Sequence, residues 1–143
     1  MGYNKGAEVL NAKIYLQQLK KLDIAINQKI WEYDKLTIDL KRSSLSASSY
    51  NELLHKKNLL EDEINSEIDH LIQKKHIIIN QIQGLENPFH TQVLFKKYVE
   101  YKSVRTIMNE LHYGRTHVCR LISSALKEFE QKFLKDGTKW DFF

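Results

Sequence analysis

Proline occurs once and glycine five times in 143 residues, so the chain has little of the punctuation that a turn-rich β fold needs. That scarcity favours long, uninterrupted helices. Cysteine also occurs once, as Cys119, which excludes an internal disulfide and removes any sign of an oxidising compartment. Apolar runs are short, as in "HIIIN", far below what spans a bilayer. The N-terminus "MGYNKGAEVL" has no apolar run suited to a signal peptide, and Gly6 stands where a myristoylation signal starting at Gly2 needs Ser or Thr. A soluble, cytoplasmic protein is expected, with no membrane partner. No phosphate loop or nucleophile motif is present, so no enzymatic activity, cofactor or small-molecule substrate is expected. The six histidines (His55, His70, His76, His90, His112 and His117) have no second ligand set at metal-binding spacing, and no metal site is expected.

What the chain does have is charge, unevenly placed. Residues 1–90 carry 12 Lys+Arg and 12 Asp+Glu, whereas residues 91–143 carry 10 and 6. The whole excess of +4 lies in the C-terminal third. A basic module on a neutral support is the footprint of a protein that approaches an anionic polymer.

The neutral part reads as two helices. From about Ala7 to Arg42, apolar residues recur at Leu19, Leu22, Ile26, Ile30, Tyr33, Leu36 and Leu40, in steps of three and four. Ile24, Trp31 and Ile38 broaden that face and predict more than one packing neighbour. "RSSLSASS" then interrupts the pattern, because serine hydroxyls compete for backbone hydrogen bonds. Ser49 and Glu52 fit a capping box, which predicts a second helix from Tyr50 to about Leu85. Its heptad runs through Ile64, Ile68, Leu71, Lys75, Ile78, Ile82 and Leu85. The acidic group Asp62, Glu63, Glu67 and Asp69, with Lys74 and Lys75, reads as a solvated helix face. The two helices would fold back as an antiparallel, coiled-coil-like hairpin, or one or both would pair with another chain. Either way self-association is expected.

"GLENPF" closes this region, with Asn87 as a helix cap and Pro88 as the first helical residue. The expected division is residues 1–86 as the helical hairpin and residues 87–143 as the basic module. There the pattern is a helix from Pro88 to about Val99, a short helix "VRTIMNEL" capped by Ser103, the break "HYG", and a last helix "RTHVCRLISSALKEFEQKF". A short helix, a tight turn and a second helix with polar residues at its start form a helix-turn-helix. Ile107 and Leu111 on one helix, with Val118 and Leu121 on the other, would hold the crossing. The residues left free suit double-stranded DNA. Arg115 and Arg120 can grip a guanine edge or a phosphate, and Thr116 and His117 can donate to either. Ser103, Arg105, Lys96 and Lys97 would contact the backbone.

The stretch "LENPFHTQVLFKKYVEYKSVRTIMNELHYGRTHVCRLISSALKEFE" resembles the region-four module of sigma factors, at Val93-Leu94, Lys97-Tyr98, Ser103, Ile107, Leu111, Val118, Leu121, Ala125-Leu126 and Phe129. With its N-terminal helices the chain is similar, from about Asn11 to Phe133, to the ArpU-like and RinA-like regulators of late genes in phages of Gram-positive hosts. The resemblance implies an all-α fold, DNA binding inside a bacterial host cell, and transcription control, with activation of packaging and structural genes and possible contact to host RNA polymerase. Three residues depart from the sigma pattern: His112 stands where the turn has Gly, Met108 where the first helix has a small residue, and Gly114 where the recognition helix has a serine cap. An interaction module that binds protein through the same unit, or a DNA-packaging recognition subunit, remains the alternative. The tail "KDGTKWDFF" puts Trp140, Phe142 and Phe143 in the last four residues, to dock on the protein itself or on a partner.

Overall fold

The computed structural model describes residues 5–42 and 44–134. The aromatic tail with Trp140, Phe142 and Phe143 lies outside the described residues. The described chain is all-α and contains no strand. Helix α1 spans Lys5–Leu16, α2 Gln18–Leu40, α3 Ala47–Gln83, α4 Pro88–Leu94, α5 Val104–Leu111 and α6 Arg115–Phe129. Wider π-helical turns continue α4 over Phe95–Val99 and α6 over Glu130–Leu134.

Local chemistry explains most of the boundaries. The first segment breaks at Gln17, where the buried Gln18 side chain donates to the Tyr15 carbonyl at 2.8 Å. Helix α3 starts earlier than the Ser49–Glu52 pair predicts. The Ser46 hydroxyl takes the Ser49 amide at 3.1 Å and becomes the cap instead. Helix α4 begins as expected, with Asn87 accepting the Phe89 amide at 2.9 Å and Pro88 in the first turn.

Contacts group the described residues into two units: those from 21 to 73 form one, and those before residue 21 together with those after residue 73 form the other. In the first, Leu36, Leu60 and Ile64 are buried together, with Tyr33, Leu53 and Ile68 packed against them. Lys29 pairs with Glu67 and lies 3.5 Å from Glu63, while the Lys57 ammonium sits 5.2 Å from the Tyr33 ring centre. Lys29 on α2 thus meets Glu63 and Glu67 on α3, and Tyr33, one turn further along α2, meets Lys57. Ile24, Trp31 and Ile38 do not join this core; they remain 47%, 66% and 64% exposed.

In the second unit α6 is the centre. Helices α1, α4 and α5 all pack on it, and Val118, Ala125, Leu126 and Phe129 are its buried edge. Ala12, Leu16 and Leu19 are fully buried, and the Tyr15 ring lies 5.8 Å from Phe129 while its hydroxyl donates to Gln81 at 2.8 Å. The docking of α1 and the end of α3 at Gln81 place both of these stretches in the same unit as α6. Lys74 is buried too, rather than on a solvated face. The corner between α3 and α4 is tied down as well. The two Glu128 carboxylate oxygens accept from the Glu86 amide and from His90 Nδ1, each at 2.7 Å. Gly84 sits close enough to this corner that a Cβ would meet the Phe133 ring at 3.4 Å.

Burial pushes the Glu128 carboxyl up, but the hydrogen bonds from Glu86 and His90 and the His90 charge outweigh it, so the group lies below its ordinary value of 4.5. A carboxyl lowered by folding stabilises the fold above its unfolded value, and that contribution disappears as pH falls through the folded value. Glu128→Gln should therefore cost about 1–2 kcal/mol in urea unfolding at pH 7. The gap to the parent protein should narrow progressively as pH falls below the ordinary carboxyl value of 4.5; a gap independent of pH would contradict the pairing.

Candidate nucleic-acid interface

The turn between α5 and α6 is set by backbone geometry. The Ser103 hydroxyl accepts the Thr106 amide at 3.1 Å and starts α5. At the other end His112 adopts the left-handed conformation, with φ 59° and ψ 40°. The His112 amide donates to the Met108 carbonyl, and so does the Tyr113 amide at 3.2 Å. This closes the helix in the way a glycine usually permits, with histidine among the tolerated residues. Gly114 is then extended, with φ −71° and ψ 164°, and caps α6 without a side chain. Nothing lies within 4 Å of the Cβ it lacks, so the position does not demand glycine. Ile107 and Val118 are fully buried, while Leu111, Leu121 and Met108 are half-buried.

With its apolar edge turned inward, α6 presents the opposite side to solvent. Arg115, Thr116, Cys119, Arg120, Ser123, Ser124 and Lys127 line one shallow groove along it. No Asp or Glu occurs between Arg115 and Lys127. His117 is exposed beside this face, and its ring stacks on Tyr113 with centres 4.2 Å apart and planes 26° from parallel. Arg115, Thr116 and Arg120 therefore share a surface, with His117 held at its edge by Tyr113. Ser123, Ser124 and Lys127 extend it. The three-and-four spacing of Thr116, Arg120, Ser123 and Lys127 carries that signal in the sequence.

The remaining candidates are placed differently. Ser103 is exposed but its hydroxyl is engaged in capping. Arg105 is exposed on α5. Lys96 donates to Glu110 at 2.7 Å, and Lys102 reaches the same carboxylate at 2.8 Å and Glu100 at 3.3 Å. The hydrogen bond from Lys102, followed by that from Lys96, holds the Glu110 carboxyl below the usual range. Lys96 is thus occupied within the protein. Lys97 joins a different group: burial pushes its ammonium down, and so do the like charges of Lys20 and Lys13. Among the described residues no three His, Cys, Asp or Glu side chains converge where a metal could sit. No helix among them is long and apolar enough to cross a membrane.

The left-handed backbone at His112 costs a non-glycine residue about 1–2 kcal/mol, part of which glycine would lose again through its greater unfolded freedom. His112→Gly should raise stability by about 0.5–1 kcal/mol in urea unfolding without changing helix content. A loss of stability would show that the His112 side chain makes interactions that outweigh the strain.

Among curated proteins and solved structures, no match is found for this chain. The family described as "protein of unknown function (DUF1492)" matches residues 31–130, which take in α3, α4, α5 and α6 together with the basic face. The chain belongs to that family.

Proposed function

We propose that this protein is a sequence-specific, DNA-binding transcription regulator in which α5, the turn at His112–Gly114 and α6 act as a helix-turn-helix and α6 is the recognition helix. The observation that carries the reading is the α6 face, where Arg115, Arg120 and Lys127 stand among small polar side chains with no acidic residue between them. Arginine offers a planar fork that matches a guanine edge or a phosphate, and serine and threonine add short donors. His117, stacked on Tyr113, meets the duplex with little rotational freedom left to lose. Arg105 and the α5 N-terminus at Ser103 would contact the backbone. The sigma-like residues of this segment support the same role, and with it a late-gene activator of phage origin that works alongside host RNA polymerase. In this reading α2 and α3 form a hairpin whose open apolar side supports a homodimer, which suits paired half-sites.

A second reading is favoured by one observation. Trp31 and Ile38 are large, apolar and well exposed on α2. They would suit a protein-interaction module, or a DNA-packaging recognition subunit, equally well.

The experiment is selection from a random duplex library at two salt concentrations, with the parent protein and the Arg115→Ala/Arg120→Ala double variant. The parent should enrich one motif and bind with a steep salt slope. The double variant should lose the motif and at least tenfold in affinity, since each base-reading pair carries about 1–3 kcal/mol. Equal binding by both proteins would contradict the assignment of α6. Absence of duplex binding by the parent would favour the interaction module.

A further inference from the structure

A second basic site lies on the same unit as α6, built from parts of the sequence that are far apart. Gln17, Lys20, Lys97, Tyr98 and Tyr101 line a cleft of about 80 Å³. Lys20 comes from the start of α2, and Lys97 and Tyr98 come from the π-helical turn after α4. That turn ends in an unusual backbone. Tyr101 has φ 58°, and the Lys102 amide returns to the Lys96 carbonyl at 2.9 Å. The geometry brings the Tyr101 ring beneath a further ammonium, Lys75, at 5.7 Å from the ring centre. Lys13, one helix turn before Gln17, is close enough for its charge to act on Lys97.

Two lysines, Lys20 and Lys97, thus line one cleft, with Lys75 over the ring of its Tyr101 wall and the charge of Lys13 acting on Lys97. Lys97 is half-buried, and the charges that act on it are those of Lys20 and Lys13, of its own sign. Such a cluster is unfavourable in the free protein and becomes favourable when an anion enters it. The lysines are compact point charges on flexible stems, a design that grips phosphate without reading sequence. By contrast, Lys96, next to Lys97 in sequence, is already held by Glu110. The two neighbours serve opposite ends.

We propose that Lys20 and Lys97, which line this cleft, together with Lys13 one helix turn before its Gln17 wall, form a sequence-independent attachment to the phosphodiester backbone of duplex DNA, separate from the α6 face. The proposal rests on the DNA-binding reading of α6 and adds a second point of attachment to it.

The test is the salt dependence of duplex binding by the full-length Lys13→Gln/Lys20→Gln/Lys97→Gln variant, beside the parent and the Arg115→Ala/Arg120→Ala variant. Each lysine–phosphate pair removed should lower the slope of log affinity against log salt by about 0.9. The triple variant should therefore show a shallower slope and a uniform loss of affinity across sequences, with the preferred motif unchanged. The Arg115→Ala/Arg120→Ala variant should instead lose the motif. Removing like charges should leave the melting temperature no lower than that of the parent. If the half-buried Lys97 position proves sensitive, Lys13→Gln/Lys20→Gln at two exposed positions carries the same test. An unchanged slope and affinity would overturn the proposal while leaving the α6 reading intact. So would a response of the Lys97 ammonium to inorganic phosphate at constant ionic strength with no change in DNA binding, since that marks a site for free anions. Failure of the parent to bind any duplex would overturn both readings together.

Discussion

The burial of one edge of α6 is the constraint on which the C-terminal unit depends. Val118, Ala125, Leu126 and Phe129 face inward, and α1, α4 and α5 close over them. Burying side chains of this kind contributes about 1.5–3 kcal/mol for each large one, so the helix cannot rotate about its axis without exposing them. The orientation of the opposite face follows. Arg115, Arg120 and Lys127 stand outward because the residues on the other side of the same turns are held in the core. Glu128 reinforces this from the next position along, since both of its oxygens fasten α6 to the corner before α4. Any change in that packing would redirect the basic face, even though no basic residue takes part in it.

Charge in this unit is sorted as well as accumulated. Glu110 gathers Lys96 and Lys102 into an internal pair, an arrangement at the surface worth little to stability but enough to fix where those ammonium groups lie. Lys97 instead lines a cleft with Lys20. The π-helical turn over Phe95–Val99 accompanies this separation. Turns of this type insert one residue into a helix and shift the side chains after it, and they recur at functional positions. A net charge of +4 therefore understates the local field, because compensated and uncompensated lysines sit side by side.

Much of the local structure was legible in the sequence where a single residue type has one physical role. Asn87 before Pro88, Ser103 as a cap, and the break at His112–Gly114 each follow from backbone hydrogen bonding within a few residues. The start of α3 was less legible, because Ser46 and Ser49 offer the same hydroxyl and the sequence does not say which amide it takes. The docking of α1 beside Phe129 was not legible at all. The three-and-four spacing shows that Leu19 wants burial, but it does not name the helix that buries it. The same limit applies to the candidate DNA-binding residues outside α6. Thr116, Arg120, Ser123 and Lys127 share a helix face by periodicity alone. The pairing of Lys96 with Glu110 and the convergence of Lys97 on Lys20 depend on how separate helices meet.

The most direct measurement of the central claim is the change in backbone amide resonances of the full-length protein when duplex DNA is added. The account predicts that Arg115, Thr116, Arg120, Ser123 and Lys127 shift first and furthest, with smaller changes at Arg105. Shifts confined to α2 and α3, or none on α6 at saturating duplex, would contradict it.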